Sequence, residues 1–322
     1  MARADSCPPP PDPVLTLDYG SRYTDDSETR SEIDDAAEAE AENALQPVDD
    51  FIRDLADLAN QVHLPDAPQA EIADCVARQL ATWARAGALR DLASPTARLT
   101  IGSRIAGLAL ALRQTAPFGG TPEDMEAVRA WLADLAHAQM IFWEEDAPPG
   151  ASRGNLRAWA ALGAAATADV AHDGILRSWA AWSTDYVLCT ANPDGSLPQE
   201  MSRGRLAYHY QLHAVAPLVV STRLLHDHGL HPGARCDDAL ARVVAFTLSD
   251  ATDGALTRAR TGEVQRYFDG TSELSGYNFA WLPAWLSLAP DPGLAEFASA
   301  YAPLASSKLG GDQGLIWLAG PL

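Results

Sequence analysis

Apolar residues recur at every third or fourth position over most of this chain, and this spacing constrains the fold more than any other feature. Clear examples lie at 51–62, 72–84 and 101–112, and similar stretches cover about 122–141, 155–170, 173–190, 205–229, 235–248 and 277–288. Short breaks rich in glycine, proline or aspartate separate them, and no run of strand-like alternation interrupts the series. The pattern predicts an all-α protein of about ten amphipathic helices.

Residue size and helix ends indicate how these helices pack. Residues 160–168 are rich in alanine, which favours close approach of two helices. Thr121, followed by Pro122 and with Asp124 three residues on, is typical of an N-cap. The helices follow no fixed residue period, so a tetratricopeptide or ankyrin array is not indicated. We expect a toroid of stacked helical hairpins, with a globin-like fold or helix bundle as the structural alternative.

Charge divides the chain into two parts. The 322 residues carry 23 basic and 43 acidic side chains, and −11 of the net charge of −20 lies within positions 1–50. Residues 8–13 are rich in proline, and the acidic stretch 24–44 has no deep apolar face, so it reads as a solvated arm or a marginal helix. We therefore place an N-terminal arm at 1–45 and one helical domain at 46–322.

The charge balance and the apolar pattern also bear on partners. An acidic chain has the wrong sign to gather nucleic-acid phosphates, although a local basic cleft can still bind a polyanion within it. No apolar run approaches the roughly eighteen residues that a membrane helix needs. We expect no nucleic-acid partner, no membrane partner, and a monomer.

Four cysteines are far apart in the sequence: Cys7, Cys75, Cys189 and Cys236. None forms a C-x-x-C pair, which disfavours zinc and thioredoxin-type chemistry. Spacing alone leaves two possibilities open, buried free thiols in a cytoplasmic enzyme or disulfides. Residues 1–7 contain no apolar stretch of a secretory signal.

A turn that leads into a helix at 193–213 holds the most informative candidate site. Arg203 and Tyr210 are seven residues apart, so they share one face if the helix begins by Arg203. In a cleft, a cation beside the phenol would stabilise its phenolate and make the tyrosine a base near neutral pH. On spacing alone, a surface arginine and a core tyrosine with a satisfied hydroxyl are the commoner situation.

Histidines and aromatic residues supply further candidates. His209 and His213 are four residues apart and could face one metal, but the sequence has no convincing third ligand and lacks the glutamate of H-E-x-x-H. A second histidine cluster at 226–231 lies at a helix end, and no nucleotide-binding or hydrolase template is present. We expect no metal and no cofactor. The tryptophans could hold sugar rings, but we assign most of them to the helix-packing core: Trp83, Trp131, Trp159 and Trp179.

Several motifs together resemble those of the poly(β-D-mannuronate) lyases, the alginate lyases of polysaccharide lyase family five. The most specific is the segment from Leu197-Pro198-Gln199-Glu200 to Pro217-Leu218, which resembles the family's L-P-N-E-L segment and its arginine-to-tyrosine spacing. Shorter similarities lie in Ser6-Cys7-Pro8, Ser21-Arg22-Tyr23, the helix motif at 82–89, Gly154 to Trp159, and Lys308-Leu309-Gly310-Gly311.

The resemblance implies a fold, an activity and roles for particular residues. It implies an incomplete (α/α) toroid with a deep groove that binds an anionic polysaccharide. Tyr210 would be the base and acid, Arg203 its electrostatic partner, and Asn155 a donor to the substrate carboxylate. Arg22 and Tyr23 would lie on a mobile lid loop within the N-terminal arm. The resemblance also implies a Cys7–Cys75 disulfide, and with it a periplasmic or secreted location.

One departure from the family pattern affects the expected substrate. The histidine that follows the matched Asn155 in the family is Leu156 here, and the motif's first asparagine and its tyrosine are Gly154 and Ala158. His209, His213 or His172 would have to supply an imidazole to the substrate from elsewhere. We expect a metal-independent lyase that cleaves β-1,4-linked mannuronate by β-elimination. A glucuronan lyase and a non-catalytic polyuronate-binding protein are the alternatives.

Overall fold

The computed structural model describes residues 7–24 and 26–318. Ser6, which belongs to one of the resembling motifs, lies outside the described residues, as does the start of the chain. Helices dominate the described part, so the prediction of an all-α protein is confirmed. The α-helices are α1 Asp35–Asn60, α2 Gln69–Ala86, α3 Pro95–Thr100, α4 Gly102–Thr115, α5 Pro122–Ile141, α6 Asn155–Ala171, α7 Gly174–Leu188, α8 Pro198–Met201, α9 Ala207–His226, α10 Ala239–Ser249, α11 Ala255–Thr261, α12 Leu282–Leu288, α13 Pro292–Ala300 and α14 Gln313–Trp317.

These helices form an incomplete (α/α) toroid in which α6 is central. Helix α6 packs against α4, α5, α7 and α9, and α1 and α2 extend the ring through α4 and α5. Helices α4 and α6 approach closely at Gly102, where an added Cβ would lie 2.7 Å from the Ala160 backbone. Small residues on both sides therefore let α4 and α6 touch through their backbones, as the alanine-rich stretch predicted.

The N-terminal segment is bound to the helical body. Cys7 forms a disulfide with Cys75 of α2, as the resemblance implied. Trp83 in the same helix donates its indole N–H to the carbonyl of Pro11 at 3.0 Å. Strand β1 (Thr16–Leu17) then pairs in parallel with β2 (Asp91–Leu92). Helix α1 continues without a break across position 46. The division into an N-terminal arm at 1–45 and a helical domain at 46–322 stays a prediction.

The far end of the chain closes against the first helix. Strand β3 (Ala305–Ser306) pairs antiparallel with β4 (Gly311–Asp312), and Asn60 of α1 donates to the Gly310 carbonyl at 3.1 Å. An added Cβ at Gly311 would lie 2.1 Å from Asn60 Oδ1, so only glycine permits this contact. The turn between the two strands is thereby fixed against the end of α1.

Two local details refine the sequence predictions. The Thr121 hydroxyl accepts a hydrogen bond from the Asp124 N–H at 3.1 Å, which confirms the predicted N-cap. Cys189 and Cys236 form a second disulfide, which settles a pairing that spacing had left open.

Among residues 7–24 and 26–318, no helix combines the length and apolarity needed to cross a membrane.

Candidate active site

Arg203 and Tyr210 meet in the structure, although not by the geometry that their spacing suggested. Helix α9 begins at Ala207, and Arg203 lies before it, next to a 3₁₀ turn at Gly204–Leu206. The turn brings the Arg203 guanidinium 3.8 Å from the centroid of the Tyr210 ring. The guanidinium therefore packs against the phenol ring, and the two predicted residues are in direct contact.

The same guanidinium holds the predicted lid loop. It lies 5.0 Å from the ring of Tyr23, and it donates to the carbonyls of Thr29 at 3.1 Å and Arg30 at 2.8 Å. Arg22 is exposed, lies 5.9 Å from the Tyr23 ring and pairs with a surface glutamate. Arg203 is therefore shared between Tyr210 and the loop, and the loop covers this part of the cleft.

Asn155 is bound to a buried carboxylate that sequence reasoning had not singled out. Its backbone N–H donates to Glu200 Oε1 at 2.7 Å, and its side-chain Nδ2 donates to Glu200 Oε2 at 2.9 Å. Glu200 is fully buried, and burial raises its pKa to about 7 against the opposing effect of the two Asn155 hydrogen bonds. The glycine at 154 leaves room for this carboxylate, because an added Cβ would lie 2.5 Å from Glu200 Oε1.

His209 belongs to a chain of hydrogen bonds. Its Nδ1 lies 2.8 Å from the Tyr267 hydroxyl, which also accepts a hydrogen bond from Asn278 Nδ2 at 3.0 Å. Burial and nearby arginines lower the pKa of His209 to about 3, so the imidazole is neutral. Because the Asn278 amide donates to Tyr267, the Tyr267 hydroxyl can donate to Nδ1, which leaves the proton of His209 on Nε2.

His213 lies one helical turn further along α9. Its ring is 5.2 Å from Trp159 and 6.3 Å from His209, and burial lowers its pKa well below the usual value. Trp159 is buried, as expected for a core residue, yet it also lines the small cavity beside these histidines. His172 ends α6, about 25 Å along the helix from Asn155, and so cannot reach the site.

Lys308 adds a positive charge that sequence analysis noted only as part of a weak motif. Its Nζ lies 3.9 Å from Asp49, and the Arg104 guanidinium donates to the same carboxylate at 2.8 Å. Burial and the charge of Arg104 lower the pKa of Lys308 to about 8. The flanking residues 306 and 309 line the cavity together with His209.

Leu156 brings no polar atom to the site. It is half-buried and packs against the hydrophobic core. The structure thus groups six of the predicted residues around one cleft, with Asn155 joined to it through Glu200: Arg22, Tyr23, Arg203, His209, Tyr210 and His213. Sequence reasoning gave no role to Glu200, although Glu200 lies in the quoted motif at 197–200, and it did not single out Tyr267 or Asn278. The spacing of Tyr267 and Asn278 gave no signal, since they become neighbours of His209 only through the fold.

Comparisons with known proteins identify the family of the chain. The alginate lyase family matches residues 3–255. A polysaccharide lyase of Stenotrophomonas maltophilia is 28% identical over 95% of this chain and 89% of its own length. An alginate lyase of Pseudomonas syringae pv. syringae is 25% identical over 95% of this chain and 82% of its own length. An alginate lyase of Pseudomonas aeruginosa is 25% identical over 96% of this chain and 84% of its own.

Solved structures share the fold. Alginate lyase A1-III from Sphingomonas species A1 superposes with a TM-score of 0.78 at 18% identity, covering 98% of this chain and 88% of that one. A histidine-to-alanine variant of alginate lyase A1-III complexed with a tetrasaccharide gives a TM-score of 0.81 at 20% identity, covering 98% and 87%. With a family match over most of its length, the chain belongs to the alginate lyase family and is a polysaccharide lyase rather than a non-catalytic binding protein.

Proposed function

We propose that this enzyme cleaves the β-1,4 linkages of mannuronate-rich alginate by β-elimination, with Tyr210 as base and acid. The observation that carries the proposal is the Arg203 guanidinium 3.8 Å from the Tyr210 ring, beneath a loop that the same guanidinium holds. A tyrosine in the first turn of a central helix, with a cation at its face, is suited to proton transfer inside a covered cleft.

The reaction needs a carboxylate to be neutralised before a proton is removed next to it. Negative charge that develops at C5 of a uronate is opposed by its own carboxylate, and donors aimed at that group lower the barrier by a few kcal/mol each. Three groups here can act on that carboxylate. His209 offers its Nε2–H, Asn155 offers its second side-chain N–H, and Arg203 offers its positive charge.

Tyr210 then moves one proton. Its phenolate removes the C5 proton, the C5–H electrons form the C4–C5 double bond, and the C4–O4 bond breaks. The phenol returns the proton to O4 of the leaving sugar. In β-1,4-linked mannuronate the C5 hydrogen and O4 lie on one face of the ring, so a single tyrosine can serve both steps.

Glucuronan is the second candidate substrate. Glucuronate differs from mannuronate only at C2, so the same groups could act on it. The substitution at position 156 supports this alternative. Leu156 places an apolar side chain beside Asn155 where the family has a histidine. We also propose a periplasmic or secreted location, which the two disulfides of the described chain support.

The test is a comparison of defined polymers. Polymannuronate, polyguluronate and glucuronan are incubated with the enzyme, and unsaturated uronate ends are followed by their ultraviolet absorbance. We expect the highest rate on polymannuronate. A higher rate on glucuronan would make glucuronan the preferred substrate. The absence of unsaturated ends from all three polymers would refute the proposal.

A further inference from the structure

We propose that Trp182, Tyr186 and Arg153 form a further saccharide subsite, which binds a uronate unit of the polymer outside the reacting pair. The inference rests on the proposed function, because the bound unit belongs to the same polyuronate chain. None of the three residues belongs to the cleft described above. Trp182 and Tyr186 lie on α7, and Arg153 lies in the turn that precedes α6.

The aromatic residues present an exposed surface of the kind that sugar rings stack against. Trp182 is 54% exposed, which is unusual for so large an apolar side chain. Its ring lies 5.6 Å from that of Tyr186, one helical turn along α7, at an interplanar angle of 41°. The two rings form a shallow surface whose faces can contact the apolar C–H groups of a pyranose.

Two arginines supply the charge that a carboxylate-bearing sugar requires. Arg153 is exposed and its Nε donates to the Tyr186 hydroxyl at 3.4 Å, while Arg157 lies 4.7 Å from the face of the same ring. The hydrogen bond from Arg153 lowers the pKa of Tyr186. Arg157 is buried and paired with Glu144, which balances the charge of that one carboxylate.

Arg153 keeps capacity for a ligand. Among residues 7–24 and 26–318, no carboxylate forms an ion pair with it. Its guanidinium has five N–H donors, and the hydrogen bond to the Tyr186 hydroxyl uses Nε alone. The remaining donors can bind a uronate carboxylate in the bidentate manner that arginine favours.

The position of this patch relative to the active site fits an extended chain. Arg153 precedes Asn155 by two residues, so their Cα atoms are at most about 7.6 Å apart. The Arg153 backbone N–H also donates to Gln199, the neighbour of Glu200, at 3.1 Å. Tyr186 lies near the end of α7 that meets the start of α6, on the same side of the toroid as Asn155.

The experiment compares long polymannuronate with short oligomers that fill only the reacting positions. Trp182→Ala and Arg153→Gln are expected to lower kcat/KM on the long polymer about two- to tenfold, through KM, and to leave the short oligomers unchanged. Trp182→Phe, which keeps an aromatic face, should recover most of the loss. Ile175→Ala is the matched control, since Ile175 is 65% exposed on the same face of α7, about 10 Å toward its other end.

Binding of the long polymer by calorimetry gives a second readout that does not depend on turnover. A weaker affinity in Trp182→Ala supports the subsite even if the wild-type enzyme fails to cleave the polymers, a result that would overturn only the proposed reaction. An equal loss on long and short substrates, or no loss of turnover or affinity on the long polymer, would overturn the subsite. Thermal unfolding of each variant confirms that its fold is intact.

Discussion

At the scale of single residues, Glu200 is the group whose environment is most unusual. A fully buried carboxylate normally has a charged partner, yet the groups bound to Glu200 are the two neutral N–H donors of Asn155. Its pKa of about 7 lies above the ordinary glutamate value of 4.5. The native state therefore holds a proton that the unfolded chain loses, so the contribution of Glu200 to stability falls as pH rises from 4.5 to about 7. The buried His209 and His213, whose pKa values are lowered, act in the opposite direction as pH rises toward 6.5.

Activity should rise with pH over the range in which Glu200 ionises. Ionised Glu200 accepts both Asn155 hydrogen bonds, whereas the protonated form gives up one acceptor and releases the amide. We expect kcat/KM to fall as pH drops through about 7. Glu200→Gln should remove this dependence and lower kcat/KM about tenfold, because a charged hydrogen bond is lost. Glu263→Gln is the control, because Glu263 is exposed and lies beside the turn at Gly204–Leu206. A fall in kcat/KM near pH 7 that persists in Glu200→Gln would contradict the assignment.

Sequence and structure differ in an instructive way at this scale. Arg203 and Tyr210 were predicted as site residues from their spacing and from the family resemblance, and Asn155 from the resemblance alone. Tyr267 could not be found, because its hydroxyl meets His209 across 58 residues of sequence. Side-chain burial such as that of Glu200 depends on neighbours from another helix, and spacing along one chain segment does not record it.

At the scale of elements, the lid loop is bound directly to the turn before α9. Arg203 is the link, since its planar guanidinium binds two consecutive carbonyls of the loop while it packs on Tyr210. A lysine keeps the charge but cannot match this geometry. We expect Arg203→Lys to speed amide hydrogen exchange over residues 21–34 and to lower kcat.

Arg205→Lys is the matched control for this prediction. Arg205 lies two residues further on, is exposed, and binds Asp269 and Thr271 rather than the loop. Its substitution should leave both the exchange of residues 21–34 and kcat unchanged. If Arg203→Lys left the exchange of the loop as slow as in the wild-type enzyme, the link between loop and site would be wrong.

The positions of the helices could be predicted from the sequence, but their end residues were predicted less well. Apolar periodicity located α5 and α6 to within a residue, because long amphipathic helices repeat their signal over many turns. The start of α9 was placed two residues early, since the turn at Gly204–Leu206 has helix-like composition. The two-residue strands were not predicted, because a strand that short has no period to detect.

At the scale of the whole molecule, the toroid is held together at its ends by contacts between distant parts of the chain. The Cys7–Cys75 disulfide closes a sequence separation of 68 residues, and the segment it anchors leads directly to the lid loop. Replacing both cysteines with serine is expected to lower the free energy of unfolding by about 2–5 kcal/mol. Denaturant unfolding of the oxidised protein and the double variant measures this difference, and equal midpoints would contradict it.

The proposed mechanism depends most on Tyr210, the group that moves the proton. Tyr210→Phe keeps the ring against Arg203 and removes only the hydroxyl. Formation of unsaturated uronate ends from polymannuronate should fall by at least about a hundredfold, while calorimetry shows the affinity for the polymer nearly unchanged. A Tyr210→Phe enzyme that releases unsaturated ends at the wild-type rate would contradict the mechanism.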